Sequence, residues 1–481
     1  MKTISMLLLL LLAGASAAQD VPRFTSDFTP AEFAARRAQV YAAIGPNGLA
    51  LLQGNPSPES YTRFRQNNEL YYLSGIESPH AYLLLDGAEK KAALYLPHRH
   101  VPREAAEGKL LSAEDAEEVT KLTGIENVFA LELLAEHLAR LARAAEPWTV
   151  FTPFQPAEGM ATSRDLALRR IADTVNDPWD GRASREAALL GLIRARFPQF
   201  EVRNLTPTLD RLRLIKSPAE LALIRKATRL SGLALMEGMR STQPGMLESE
   251  LDAMAKFIFY RNGAQGDAYY SLVANGPNAI YPHYNAGKGR LEDGDLLLMD
   301  YAPDVGYYMS DVTRMWPVNG KFTQEQRELY TFYLGAYRAI LDAIRPGVTP
   351  QTIRREALVT MDALLARSRF SKELHAKAAR DFIDAYRRAT DNPRQTLGHW
   401  VGMAAHDVGT DPGPLRPGMV FTIEPALRVP EENIYIRLED LIIINETGKE
   451  IVSDFVPTDV DAIEALMKEE GMLQRYPMDR P

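Results

Sequence analysis

From Phe28 onward the apolar positions change period several times. Over AEFAARRAQVYAAI they recur at helical spacing, whereas GLALLQG, AYLLLDG and KAALYLP are short apolar runs bounded by turn residues, the pattern of buried strands. Helix alternating with strand predicts an α/β domain. Between residues 100 and 200 the pattern is mostly helical. Ser112 is a cap candidate for SAEDAEEVTKLTG, and LELLAEHLARLARAAE keeps its charges on one solvent face. Pro147, Pro153, Pro156 and Pro178 break the rest into short pieces in which no chemical group stands out. A domain boundary is expected near residue 207, because Ser217-Pro218-Ala219-Glu220 then offers a cap, a proline at the first helical position and an acidic first turn.

The second half opens with two predicted helices, near 217–240 and 247–261. The stretch AYYSLVANGPNAIYPHY follows, with a loop signal at Asn275-Gly276-Pro277-Asn278 and His283 just after it. LLLMDYAPDVGYYMSDVTRMWP reads as a β-hairpin. If residues 302 and 307 face each other across its turn, Asp300 lies opposite Met309 and Asp311 two residues further along the same face. Two carboxylates so placed are costly to bury unless a cation or a proton separates them. NGKFTQEQRELYTFYLGAYRAILDAI is a long amphipathic helix, and TIRREALVTMDALLAR and SKELHAKAARDFIDAYRRAT are two more. His375, in the last of them, is expected to face solvent.

Three further candidates follow. His399 lies in LGHWVGMAAHDVG, where flanking glycines are expected to admit a ligand close to the backbone. Glu424 ends the extended run PGMVFTIEP, and Glu439 lies in IYIRLEDLIIIN. A turn at Pro430-Glu431-Glu432-Asn433 would set Glu424 directly opposite Glu439. Four carboxylates with one imidazole carry too much negative charge for one zinc ion of the usual nitrogen- and sulfur-rich kind. They suit two hard or borderline divalent cations.

Asp300 and Asp311 followed by Thr313-Arg314, then GHWVG with HDVG, then EP, then RLED, in this order, resemble the aminopeptidase P and prolidase branch of the pita-bread metallopeptidases. The resemblance covers roughly residues 35 to 465 and includes RFRQNNELYYLSGIESP and LRLIKSPAELALIRKAT. It implies an α+β, pita-bread catalytic domain over 208–481 behind an α/β N-terminal domain over 20–207. It also implies Xaa-Pro aminopeptidase activity on peptides with proline at the second position. The implied metal ligands are Asp300, Asp311, His399, Glu424 and Glu439, with Asp311 and Glu439 bridging. Manganese is the expected metal, and cobalt or zinc could occupy the same ligands. His283 and His406 would contact substrate around the tetrahedral intermediate, Glu424 would also shuttle a proton, and Arg437 would pair with a ligand carboxylate such as Asp300. The N-terminal domain would wall one end of the substrate channel, in an assembly of two or four copies. Read from its own residues alone, RFRQNNELYYLSGI is a turn packed on a sheet.

One position departs from the family. Many members carry a histidine four residues before the metal histidine, and here Gln395 stands there, which leaves the ligand set intact and bears on the pocket beyond the cleaved bond. An Xaa-Pro dipeptidase is the runner-up, and a metal-free binding protein on the same fold is disfavoured because all five ligand-type residues are present.

Composition narrows the setting. The chain has a net charge of −8 with both signs interspersed, which gives no footprint for nucleic acid. It has no cysteine, excluding disulfides, thiolate ligands and a lipidated cysteine. Lys2, the apolar run Met6 to Ala13 and Ala15-Ser16-Ala17 read as a cleavable signal peptide over residues 1–17, so export to the periplasm or beyond is expected. No other stretch is long and apolar enough for a membrane.

Overall fold

The computed structural model describes residues 24–58, 62–143, 148–158, 163–392, 395–409 and 413–476. The expected signal segment and Pro147 lie outside the described residues. The first layer is a six-stranded mixed sheet in the order Asn127–Ala130, Lys91–Leu96, Tyr82–Asp86, Gly48–Gln53, Thr149–Thr152, Glu201–Asn204. Its central strand reads as an unbroken apolar run because both faces are covered. Ala50 and Leu52 enter one core with Phe33, Val40 and Leu70, while Leu49 and Leu51 enter another with Leu134, Leu138 and Val150. The helix Pro30–Ile44 closes the first of these faces. It starts where Thr29 accepts from the Glu32 N–H and Pro30 needs no partner.

RFRQNNELYYLSGI is a buried helix, Asn68–Ser74, rather than a turn. Asn67 caps it, and Gly75, at φ 69°, ends it in the left-handed region. This helix and the residues before it join the two halves of the chain. Tyr71 stacks on Tyr307 with ring centroids 3.6 Å apart, and Arg65 pairs with Asp304 at 2.7 Å. One apolar core runs through the joint, holding Phe33 and Leu70 together with Tyr308, Val401 and Met403. The last strand of the sheet ends at Asn204, and the helix Thr206–Leu214 leads into the second half.

There, Pro218–Ser241 starts with the Ser217/Glu220 capping box, and Glu248–Arg261 packs beside it. The helices Gln324–Ala343, Pro350–Arg367 and Glu373–Thr390 back a set of short antiparallel strands that carry the acidic residues. Glu373–Thr390 buries His375, Ala378, Ala379, Phe382 and Ile383, one helical stripe. His375 therefore does not face solvent. It is fully buried, with Nε2 at 2.8 Å from Glu432 in the turn of the facing hairpin.

The hairpin around Asp300 also differs from its expected form. Leu296–Asp300 pairs with Thr313–Pro317, and Asp300 lies opposite Thr313, not Met309. The chain between them makes a detour instead of a tight return. Pro303 pairs with Asp267, and a separate tight turn closes Val305 on Tyr308, with Gly306 at φ 59° and Tyr307 at φ 73°. Met309 instead gives its N–H to the Gly402 carbonyl, 2.8 Å away. The left-handed Tyr307 is held by its stack on Tyr71, by its N–H bond to Asp304 at 3.0 Å, and by Arg65 over its ring.

Candidate metal centre

Five side chains from four stretches converge. Asp300 ends its strand, and Asp311 sits two residues before the partner strand begins. Glu439 is the link between Ile434–Arg437 and Asp440–Ile444, and its backbone exchanges hydrogen bonds of 3.1 and 3.3 Å with Thr313, which brings it beside the aspartates. Ile423 pairs with Asp440 and Ala426 with Arg437, so one register carries through Glu424 and Glu439 and sets them opposite each other, as expected. His399 is tied to the same sheet by the Thr422 N–H, 2.9 Å from its carbonyl. The glycines beside it serve the protein and not a ligand: a Cβ at Gly398 would lie 2.0 Å from the Thr422 carbonyl oxygen, and one at Gly402 would lie 2.1 Å from Asp407.

The ligand atoms form three overlapping groups, each with all members within 4.8 Å of one another: Asp300, Asp311 and Glu439; His399, Glu424 and Glu439; and Asp311, His399 and His406. Asp311, Glu439 and His399 each belong to two groups, and of these only the two carboxylates have a second oxygen to share. His399 Nε2 stands 3.3 Å from Glu424, 3.5 Å from Asp311 and 3.6 Å from Glu439. Arg437 pairs with Asp300 and reaches Glu424 at 3.5 Å. A buried Glu439 oxygen has no hydrogen-bond partner although its mate accepts from Thr313 at 2.7 Å. An unpaired carboxylate oxygen in a buried, oxygen-rich cluster with one imidazole nitrogen fits divalent cations.

Electrostatics point the same way. Burial, then the charges of Glu439 and Asp300, push Asp311 well above the usual carboxylate range. Burial raises Asp300 too, against Arg437. Burial and Glu439 push Glu424 up to about 7, opposed by His399 and Arg437. Burial works against a charged His399, but the Glu439 and Glu424 carboxylates beside it prevail, at about 9. His406 moves the other way, to about 3, because it is buried and its ring stacks 3.9 Å from that of His399. Neutral His406 beside a charged cluster is a hydrogen-bonding group, not a countercharge.

The remaining expected residues are His283 and Gln395. His283 is exposed on the turn after Gly276–Ile280 and is one of the groups that hold His406 down. Gln395 is exposed, with its N–H on the Asn392 carbonyl at 3.1 Å.

Two features were not foreseen. Tyr269, half-buried between the strands Gly266–Asp267 and Leu272–Asn275, places its hydroxyl 2.6 Å from both Asp300 and Asp311, and only the doublet Tyr269-Tyr270 in the sequence hints at it. The other is a buried ladder of charges beneath His406. Asp407 is held by Arg213 at 2.6 Å and Lys216 at 3.2 Å. Glu158 bonds both Arg213 and Arg164 at 3.1 Å, and Arg164 continues to Glu69 and Asp210. The 100–200 region thus does carry chemistry. Arginine and lysine inside the otherwise apolar LRLIKSP were the available signal.

Known proteins share this fold. The family model described as Metallopeptidase family M24 matches residues 222–446, and that described as Aminopeptidase P, N-terminal domain, matches residues 33–151. The Xaa-Pro aminopeptidase of Escherichia coli is 30% identical over 466 residues, 92% of this chain and 98% of that protein. The chain belongs to the aminopeptidase P family of M24 metallopeptidases. Its catalytic half has the pita-bread fold of that family, behind the α/β N-terminal domain. The structure of E. coli aminopeptidase P with the inhibitor Pro-Leu superposes with a TM-score of 0.72 at 28% identity, covering 92% of this chain and 98% of that one. A zinc-substituted E. coli aminopeptidase P in complex with product gives a TM-score of 0.72 at 27% identity, with the same coverage.

Proposed function

We propose that this chain is an Xaa-Pro aminopeptidase, a metallo-exopeptidase that releases the first residue of a peptide whose second residue is proline. The observation that carries the reading is the convergence of the buried Asp300, Asp311 and Glu439 with the half-buried His399 and Glu424 into one cluster, in a chain that spans 98% of the E. coli Xaa-Pro aminopeptidase. These five residues would hold two divalent cations, with Asp311 and Glu439 in the shared positions. Bound there, the cations supply Lewis acidity that lowers the pKa of water and polarises the scissile carbonyl. Manganese is the metal we propose, since hard carboxylates dominate the donor set.

The protein's own groups do the rest. Glu424, titrating near 7, is suited to take a proton from the attacking water and give it to the departing prolyl nitrogen. That nitrogen belongs to a tertiary amide, which has no N–H for a site to grip, so positioning falls on the carbonyl side. Neutral His406 would donate a hydrogen bond toward the oxygen that gains charge, and His283 would give a second. Arg437 keeps Asp300 ionised and oriented.

The same reading includes export through a cleaved segment ending near Ala17 and assembly into dimers or tetramers, checked by N-terminal sequencing of the periplasmic fraction and by sedimentation. The function itself is tested by product analysis of manganese-loaded protein on an Xaa-Pro dipeptide and on an Xaa-Pro-Yaa peptide. Release of the first residue from the longer peptide is the expected result. Cleavage of the dipeptide alone would make the enzyme a dipeptidase.

A further inference from the structure

Glu248 is the first residue of the helix Glu248–Arg261 and is fully buried. Among the described residues it has no ion pair, so a buried carboxylate is stabilised by hydrogen bonds alone. One oxygen accepts from the Asn275 N–H at 3.0 Å and the Asn278 side-chain amide at 2.9 Å. The other accepts from the Tyr284 hydroxyl at 2.9 Å and the Gly289 N–H at 2.8 Å. Its own N–H returns a bond of 2.9 Å to the Gly289 carbonyl. Four donors saturate a carboxylate. All four come from the segment 275–289, which carries His283.

The helix does not need this carboxylate for its start. That task belongs to Glu250, whose side chain accepts from the Leu247 N–H at 2.8 Å. The start of the segment is also anchored elsewhere, since Asn275 bonds the Arg290 carbonyl and Asp295 and Ala279 enters the core, but its middle is not. It has one short 3-10 turn, Gly276–Ile280, and Tyr281, Pro282 and His283 are exposed. Two of the bonds fall before His283, one falls on the residue after it, and one falls six positions on.

We propose that Glu248 is the positioning residue for His283: it ties together the stretches on either side of the exposed residues 281–283, so that the imidazole is aimed at the metal centre before substrate arrives. This rests on the reading of His283 as a substrate-facing group. Preorganising an exposed side chain in this way affects turnover more than ground-state binding, because the bond His283 makes strengthens as the carbonyl oxygen gains charge.

Glu248→Gln keeps the volume but replaces one acceptor oxygen with a donor, so two donors of the segment lose their partner whichever way the amide turns. The expected result is a fall in kcat of about 10- to 100-fold on an Xaa-Pro-Yaa peptide, with KM and manganese content unchanged. In a His283→Ala background the same substitution should cost less than about two-fold, because there is no imidazole left to aim. Tyr284→Phe removes one of the four bonds and should show a smaller loss with the same dependence on His283; it carries the test if Glu248→Gln does not fold. An equal loss in both backgrounds, no loss in wild type, or a loss explained by missing metal would each overturn the proposal. So would an unchanged kcat in His283→Ala alone, although metal-dependent turnover by the wild type would leave the enzyme assignment standing.

Discussion

Glu424 and Glu439 face each other in a register that does not slip between Val420–Ile443 at one end and Val429–Ile434 at the other. Two carboxylates forced together by a ladder repel each other, and the surrounding groups answer that repulsion: Arg437 lies against Glu424, His399 stands between the two, and Thr313 donates to Glu439. The sheet thus stores an unfavourable arrangement that a cation relieves.

Asp311 and Glu439 each serve two of the three ligand groups, so replacing either with alanine should remove more than one metal contact. We expect Asp311→Ala and Glu439→Ala to lower hydrolysis by more than about 100-fold, beyond what loss of a supporting partner costs. Elemental analysis after manganese loading and desalting should find less than the wild-type metal content. Activity retained by both variants would contradict the assignment.

How much of this could be read in advance depended on whether a residue's partner was near it in the chain. Glu424 and Glu439 flank one short hairpin, and counting back from its turn was enough to pair them. Asp300 and Asp311 also meet, through Tyr269, but not by the register expected. A turn inside the hairpin, with Gly306 and Tyr307 both at positive φ, consumes residues that a plain return would have paired. His375 was misplaced because its neighbours are charged, whereas what decides its side is the stripe it shares with Ala379 and Phe382. The Arg213 to Asp407 pair spans 194 positions, and no local pattern announces it. The overall fold was legible because the apolar runs are long and the helix starts are strongly capped.

Metal uptake should release protons. His399, held near 9, carries a proton at neutral pH, and Glu424, near 7, carries one about half the time. A ligand must give up its proton to bind a cation, so affinity should weaken as pH falls through the range from about 9 to 7 and continue to weaken below it. Calorimetric titration of metal-depleted protein with manganese, in buffers of different ionisation enthalpy at pH 7, should report a net release of at least one proton. A heat independent of the buffer would show that the ligands are already deprotonated.

Glu69 predicts a second pH effect, on stability. Burial raises its pKa to about 8, against Arg164 and with help from the Glu158 charge. A carboxyl whose folded pKa is raised holds its proton in the native state after the unfolded chain has lost it. Its contribution to stability is therefore full below about 4.5 and declines until pH passes about 8, where it levels off. Glu69→Gln should remove this decline from the variant, which shows as a pH-dependent difference between variant and wild-type melting temperatures measured with metal bound. The variant should gain on the wild type as pH rises from 5 to 8, and a constant difference would rule the effect out.

The charge ladder beneath His406 should couple the N-terminal half to turnover. Asp407 is the residue after His406, its N–H bonds the Trp400 carbonyl at 2.8 Å, and its carboxylate is fixed by Arg213 and Lys216. Ser163, from the first half, bridges the backbone of His406 itself. Removing one partner of a fully buried pair leaves the other charge stranded, at a cost of about 3–5 kcal/mol. Arg213→Met should therefore lower the melting temperature. Arg213→Lys keeps a charge near Asp407 but gives up the second contact of the planar guanidinium, the one to Glu158. If the ladder positions His406, Arg213→Lys should lower kcat by several-fold without changing metal content, and should have almost no further effect in a His406→Ala background, where nothing remains to be positioned. Steady-state kinetics on the two single variants and the double variant decide the matter: additive losses would mean that the ladder holds the halves together and does nothing for His406.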